Sequence, residues 1–356
     1  MTPAVRCRSC VMPTSRPDSY FDETGECLAC SSYRNRSEID WDDRKQQLIR
    51  ILEKAKGRAI VASSGGKDSH FVALKLLELG AKITIVTATT DHLTDIGKRN
   101  IQNLARYADT IEVTPNQTVR RKIARIGLRT VGDISHGEHM AIWATPMQMA
   151  VKLNASLCFY GENPQNEIAG PKGTEQAQIM DRRWVSEHGG LNGMRAHDLV
   201  GQDGITERDI EPYLLPNQAE METFKAYFFG QFVPWDGEQN AIMAKEHGFE
   251  WWHQDVEGSL SPWESLDNAQ TGIHEWFKML KFKYMRPTDL ASLAIRRGRL
   301  TRDEALKLIA EREKFPFTYI GVPYEDVLER IGVSVAEFED ICRKFTNNDL
   351  CLSPVE

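Results

Sequence analysis

The chain has 356 residues, 41% hydrophobic and 27% charged, which is enough to bury a sizeable core and is an ordinary balance for a soluble protein. No apolar run approaches the ~18 residues of a membrane span, and the N-terminus lacks the apolar stretch of a signal peptide, so the expectation is a cytoplasmic protein with no membrane insertion. A net charge of −7 argues mildly against a polyanion such as tRNA as the main substrate.

Four of the seven cysteines fall at the start of the chain, as Cys7-x-x-Cys10 and Cys27-x-x-Cys30. Two such pairs can bring four thiolates into a tetrahedron with no open position, the arrangement of structural Zn2+. Disulfides are disfavoured in a cytosolic chain, and an iron–sulfur cluster is the minority alternative. Residues 1–35 are therefore expected to form a zinc ribbon. Cys158 falls in an apolar stretch, where a buried inert thiol is expected.

An amphipathic helix over 43–56 leads into alternating elements. Strands are expected at 58–63, 83–89, 110–114 and 156–161, with helices near 68–79, 95–107, 118–127 and 139–153. This alternation predicts an α/β, doubly wound parallel sheet with ligands outside the carboxyl ends of its strands. That position makes three segments site candidates: the 63–69 loop, Thr90-Asp91-His92, and Gly161 to Glu167. From 180 to 275 the periodicity weakens and tryptophans become frequent, among them Trp235, Trp251, Trp252 and Trp263. Packing is the usual role of such aromatics, and sugar stacking is the sharper one. Capping boxes at Thr301-x-x-Glu304 and Ser334-x-x-Glu337 mark helix starts in a C-terminal helical module. The expected division is 1–35, 43–275 and 276–356.

The most informative run is Ser63-Ser64-Gly65-Gly66-Lys67-Asp68-Ser69. A glycine-rich turn from strand to helix directs backbone N–H groups and the positive end of the helix dipole at one point, where phosphate binds. Lys67, Ser64 and Ser69 add donors, and Asp68 offers a ligand for Mg2+. The adjacent glycines before the lysine separate the run from the Walker pattern. It resembles instead the loop of the PP-loop ATP pyrophosphatases, which cleave ATP between the α and β phosphates.

Other polar groups cluster with less specificity. Glu162 and Glu167 are suited to bind metal or move protons, and Asn163, Gln165 and Asn166 to orient an amide. A hydrogen-bonded turn is the plainer account of that segment. His136-Gly137-Glu138-His139 precedes a helix, and its histidines could bind metal or shuttle protons, but no third ligand is evident. Arg120, Arg121, Lys122, Arg125 and Arg129 form a basic face, read as either solvated or a docking surface. No glutaminase motif is present.

Taken in order, the paired cysteines, the 63–69 loop, Gly161-Glu162-Asn163-Pro164-Gln165, Gly189-Gly190-Leu191-Asn192-Gly193, Gly272-Ile273-His274 and Arg296-Arg297-Gly298-Arg299 resemble the N-acetyl sugar amidotransferases. These are PP-loop proteins of surface-polysaccharide and nonulosonic acid biosynthesis. The resemblance implies that ATP adenylylates the N-acetyl oxygen of a nucleotide-linked sugar, and that ammonia from a partner glutaminase and a cyclase-like barrel subunit completes an acetamidino group. It implies Ser63, Ser64, Gly65, Gly66, Lys67 and Ser69 as phosphate contacts, Asp68 for Mg2+, Asp91 near the nucleoside, and Glu162, Asn163 and Gln165 around the amide. Homo-oligomerisation stays open. The rival reading is a tRNA-thiolating enzyme, which also carries paired CxxC knuckles but needs a basic surface and often cysteines near the ATP site.

Overall fold

The computed structural model describes residues 2–55, 58–168, 170–173 and 179–352. Three elements precede the sheet: β1 (Thr2–Ala4), α1 (Leu28–Arg34) and α2 (Trp41–Lys54). Helix α2 starts where Asp40 accepts a hydrogen bond from the Asp43 N–H at 2.9 Å, as an N-cap should. The anticipated zinc ribbon is reduced to the isolated bridges Arg6–Pro13 and Phe21–Cys27, followed by α1.

Strands and helices then alternate: β2 (Ala59–Ser63), α3 (Lys67–Glu78), β3 (Ile83–Ala88), α4 (Asp95–Leu104), β4 (Asp109–Val113), α5 (Gln117–Val131), α6 (His136–Lys152) and β5 (Leu157–Tyr160). Helix α7 (Pro164–Ile168), α8 (Arg182–His188) and the single turns α9 (Glu207–Ile210) and α10 (Gln218–Met221) lead to β6 (Lys225–Phe228). The five strands pair in parallel in the order β4-β3-β2-β5-β6. The chain winds outward from β2 in one direction and resumes at β5 in the other. The switch in strand order therefore falls between β2 and β5, and the segments leaving both strands emerge side by side.

Strand period two decides which layer each residue joins. Val61, Ile85 and Phe159 face α2 and α3, where they pack with Leu48, Phe71 and Leu76. Ile60, Val86 and Cys158 face the opposite layer and meet Met147 of α6 and Trp184 of α8. Both faces are covered, which explains why β3 reads as a run of buried residues rather than an alternation.

The rest of the chain is mostly helical: α11 (Gly237–Glu246), α12 (Thr271–Phe282), α13 (Arg286–Arg296), α14 (Arg302–Arg312), α15 (Tyr324–Ile331) and α16 (Val335–Phe345), with the hairpin β7 (Thr318–Tyr319) and β8 (Val322–Pro323). The last strand, β9 (Leu350–Leu352), pairs in parallel with β1 and ties the two ends of the chain together. Strand β6 and helix α11 lie in the stretch where periodicity had faded. Helix α12 begins at Thr271, so a division at 275 would cut it. Among the described residues no helix is long and apolar enough to cross a membrane.

The anticipated basic face of α5 is divided: Arg129 stays exposed, Arg120 is buried, and the cations are engaged by neighbouring elements. Arg120 is buried and donates to the Thr89 carbonyl, Lys122 donates to the Asp203 carbonyl, Arg125 pairs with Asp203, and Arg129 pairs with Glu337 of α16. The cations are close in sequence, but in the fold they turn to different neighbours, with Lys122 and Arg125 sharing Asp203.

Asp91 belongs to the same fastening. Its side chain, 2% exposed, meets Arg330 of α15 at 2.9 Å, Arg120 at 3.6 Å and Arg121 at 3.9 Å. Asp91→Ala would leave Arg120 buried without its counter-charge. The expected loss is about 3–5 kcal/mol of unfolding free energy, read from urea titration, and a loss below ~1 kcal/mol would show that the cluster does not hold α15 to the sheet.

Candidate active site

The loop from β2 into α3 is shaped by its own side chains. The Gly65 N–H donates to Ser63 Oγ at 2.9 Å, Ser63 Oγ lies 3.1 Å from Ser69 Oγ, and Ser69 Oγ donates to the Gly66 carbonyl at 2.9 Å. Gly65 has φ +80°, and a Cβ there would stand 2.5 Å from Ile101 Cγ1, so a side chain is excluded both by conformation and by α4. Gly66 is the N-cap of α3. The loop leaves a cavity of about 150 Å3 over Ser64 to Ser69, closed by Asn100, Phe249, Trp263, Glu264 and Asp267. Gly97 permits that closure, since a Cβ on it would lie 2.5 Å from Asp267 Cα.

Lys67 is the centre of the site. Its ammonium lies 2.6 Å from Asp68 Oδ2 and 2.8 Å from Glu264 Oε1, and its side chain is 8% exposed. Burial works against the charge, yet Asp68 and Glu264 outweigh it and raise the Lys67 pKa above its ordinary value. Glu264 is correspondingly held low by Lys67 and Arg286, against its own burial. Asp68 Oδ1 accepts a hydrogen bond from Asn240 Nδ2 of α11 at 2.9 Å.

Lys67, Asp68, Trp263 and Glu264 also line a second cavity of about 300 Å3. Glu162 lines it beside Trp235, Arg286 and Arg297, and Leu290 and Leu293 of α13 give it an apolar wall. Burial, followed by the nearby Asp68 carboxylate, pushes the Glu162 pKa up to about 7. Burial likewise pushes Asp267 up to about 6. Asn163 is buried at the start of α7, where its carbonyl accepts from the Glu167 N–H at 3.1 Å. Gln165 is on α7, with its side chain outside the described residues, as is that of Asn166. Glu167 is clasped by Arg36 and Arg297, so it serves as an anchor of the segment.

The structure thus brings Lys67, Asp68 and Glu162 together. Asp91 is apart, lining neither cavity. Sequence reasoning missed Asn240, Glu264, Asp267, Arg286 and Arg297 as site residues. Only Trp263 and the Arg296–Arg299 run carried any signal. Neither cavity is lined by a cysteine. Cys158 is fully buried within β5, and burial raises its thiol pKa above the ordinary range, so it offers no thiolate to the loop.

Cys7, Cys10, Cys27 and Cys30 converge as expected. Their sulfurs all lie within 4.8 Å of one another, with Cys10–Cys27 at 3.7 Å and Cys7–Cys30 at 3.9 Å. A tetrahedral ion with ~2.3 Å bonds to sulfur needs S···S edges of about 3.8 Å. The donor set therefore fits one Zn2+; a multi-iron cluster would spread the thiolates around its several metals. The Cys27 N–H at 3.2 Å from Cys7 Sγ and the Met12 N–H at 3.4 Å from Cys10 Sγ would stabilise charge on sulfur. Arg296 of α13 reaches Cys10 Sγ at 3.7 Å and Cys30 Sγ at 3.9 Å and donates to the Glu167 carbonyl, which joins the knuckles to α7.

Residues 222–351 match the family model described as LPS biosynthesis protein WbpG-like, C-terminal domain. The match covers about a third of the chain, and this segment is similar to that domain. It supplies β6, Trp235, Asn240, Trp263, Glu264, Asp267, Arg286 and Arg297, so the WbpG-like part closes the cavities that the phosphate loop opens. No curated protein matches the chain. The structure of NMN synthetase from Francisella tularensis overlaps 61% of this chain and 98% of its own, at 14% identity and a TM-score of 0.27, a likeness too slight to bear on function.

The raised Glu162 pKa has a testable consequence. In the unfolded chain this carboxyl titrates near 4.5, and in the folded protein near 7. Its contribution to stability is complete below the unfolded pKa and is lost as pH rises through about 7. Glu162→Gln stays neutral throughout. It should match the parent near pH 4 and exceed it by about 1–3 kcal/mol at pH 8 in denaturant titrations. Equal stability at both pH values would mean that Glu162 ionises normally.

Proposed function

We propose that the chain is an ATP-dependent, AMP-forming amidotransferase that converts the N-acetyl group of a nucleotide-linked sugar to an acetamidino group. The observation that carries this reading is the shared wall. Lys67, Asp68, Trp263 and Glu264 line both the phosphate-loop cavity and the larger cavity containing Glu162. A nucleotide on the loop and a second substrate beside it would therefore meet at one set of charges. The match of residues 222–351 to an LPS biosynthesis family supports a sugar of surface polysaccharide as that substrate.

The chemistry suits the groups present. An amide is a poor electrophile, and its oxygen leaves badly. In the proposed reaction the amide oxygen attacks the α phosphorus of ATP and pyrophosphate departs. The amide N–H proton passes to Glu162, whose pKa near 7 suits a general base. Ammonia then adds to the imidate carbon, and AMP leaves with the former amide oxygen. The loop N–H groups, Ser64, Ser69 and Lys67 bind the pyrophosphate portion, and Asp68 with Glu264 would hold Mg2+. When bound, that ion neutralises phosphate charge. Asn163, next to Glu162 in the chain, is assigned to orient the acetamido group although it lines neither cavity, and Gln165 belongs to the same assignment with its side chain outside the described residues. The apolar wall of α13 receives the sugar's less polar face, with Arg297 and Arg286 at its rim. Ammonia comes from a partner glutaminase through a cyclase-like barrel subunit, since the chain carries no glutaminase motif.

The decisive assay supplies ATP, ammonium and a panel of UDP- and CMP-linked N-acetyl sugars, with pyrophosphate release and product mass as readouts. Sugar-dependent pyrophosphate and a product in which NH replaces O are expected. Release with tRNA and a sulfur donor, and with no sugar, would transfer the protein to the thiolating class. In the same assay Asp68→Asn should lower turnover by ~100-fold or more while the melting curve stays cooperative. Unchanged turnover would remove Asp68 from the mechanism.

A further inference from the structure

A second cluster of titratable groups lies outside the two cavities. Helix α5 ends in a left-handed turn at Gly132 (φ +63°), and Asp133 follows immediately. His139 sits on the first turn of α6, and His274 on the first turn of α12. The His136-Gly137-Glu138-His139 segment is thus itself the start of the helix. The third partner that the sequence lacked comes from more than a hundred residues away in the chain. His274 Nδ1 is 2.8 Å from Asp133 Oδ1, His139 Nδ1 is 3.1 Å from Asp133 Oδ2, and the three ligand atoms all lie within 4.8 Å of one another.

We infer that Asp133, His139 and His274 form a binding site for one divalent transition-metal ion, distinct from the four-cysteine site. Asp133 is 2% exposed, yet its Oδ2 has no hydrogen-bond partner, and neither has the buried Nδ1 of His139. These two atoms are 3.1 Å apart but not aligned as donor and acceptor. Two adjacent buried polar atoms are thus left without a partner, which an ion held between them would supply. Ligands ~2.1 Å from one ion are separated by about 3.0 Å at right angles and about 3.4 Å in a tetrahedron. The Asp133–His139 pair at 3.1 Å is already at that spacing, and His274 Nδ1 would exchange its 2.8 Å hydrogen bond to Asp133 Oδ1 for the ion. The two imidazole rings stand edge to face at 81° with centroids 5.1 Å apart, which keeps them from clashing as neighbouring ligands.

The surroundings favour a held carboxylate and leave an open side. Ser135 N–H donates to Asp133 Oδ1 at 2.9 Å and fixes its rotamer, as an outer partner of a metal ligand would. Glu138 is not available as a fourth ligand. It accepts from the Asp91 N–H and from the side-chain amides of Asn268 and Gln270. The side chains of His139 and His274 are 25% and 22% exposed, so an ion here keeps positions open to solvent. Two imidazoles and one carboxylate suit Zn2+, Mn2+, Fe2+, Co2+ or Ni2+ rather than Ca2+ or Mg2+. Helix α6 returns antiparallel to the strands, so its first turn lies at their carboxyl ends, on the side where the phosphate loop opens. The backbone of the Gly189–Gly193 segment passes beside the site, where a Cβ on Gly190 would stand 3.4 Å from His139 Nδ1. Two motifs that the amidotransfer chemistry leaves unused, Gly189-Gly190 and Gly272-Ile273-His274, therefore meet here.

Cobalt distinguishes this site from the cysteine site, because only thiolate ligands give an intense sulfur-to-cobalt charge-transfer band. The full-length protein, stripped of metal and reloaded with Co2+, should retain two ions per chain after desalting. His274→Ala, and the size-preserving His274→Gln, should each retain one ion with the charge-transfer band intact. Cys10→Ser, which leaves three thiolates, should weaken and shift the band while the d–d absorption of the second ion is kept. Near-UV circular dichroism identifies any variant that fails to fold, and His139→Gln then stands in for it. A parent protein that retains only the thiolate-bound ion overturns the inference. So do His274 and His139 variants that retain as much cobalt as the parent.

Discussion

One buried ammonium organises this molecule. Lys67 opens α3 at the end of a glycine-rich turn, where the helix dipole already favours anions. Two carboxylates lie within hydrogen-bond reach of it, Asp68 from the next residue and Glu264 from the distant WbpG-like segment. An unpaired charge at such a depth is prohibitively costly, so the position of residues 263–267 is dictated by the position of the loop. That single constraint places Trp263 and Asp267 over the phosphate loop and makes one wall serve two cavities.

A second layer of charge holds the other side of the site. Glu167 ends the segment that carries Glu162, and it is gripped by Arg36 from the N-terminal region and Arg297 from the end of α13. Arg296, one residue earlier, spans from the Glu167 carbonyl to the sulfurs of Cys10 and Cys30. The cysteine knuckles are thus more than a stabiliser of a small appendage. They are the far end of a chain of contacts that sets where α7 lies, and Ile168 and Ile295 pack directly against them. A metal here would act on the reaction only through the geometry of that segment.

The parts that sequence made legible are those whose causes are local. The 63–69 loop was readable because its conformation depends on contiguous backbone and on a glycine at φ > 0, Gly65, that α4 approaches closely. Strands β2, β3 and β5 were readable because parallel strands covered on both faces are apolar runs bounded by turns; the edge strand β4, with Asp109 and Glu112 exposed, was legible from its place in the alternation. The cysteine cluster was readable from spacing alone, since two CxxC pairs have few other uses in such a chain. The same locality misled elsewhere. The α5 cations look like one patch on a helix, but they divide among Asp91, Asp203 and Glu337. His136 to His139 read as a lead-in because two helices meet with only four residues between them, and Asp91, expected near the nucleoside from its position after a strand, is engaged by three arginines.

The sequence by itself determined the doubly wound sheet, the glycine-rich turn at 63–69 and the four-cysteine knuckle, because backbone conformation, strand period and short ligand spacing are properties of adjacent residues. Only the tertiary structure decided that Glu264 and Asn240 complete the loop, that α13 supplies the wall of the larger cavity, and that His274 joins Asp133 and His139. Those partners lie between about 130 and 200 residues apart in the chain. No local pattern encodes such a distance; it is settled by which buried charges must find one another once the two layers have packed on the sheet.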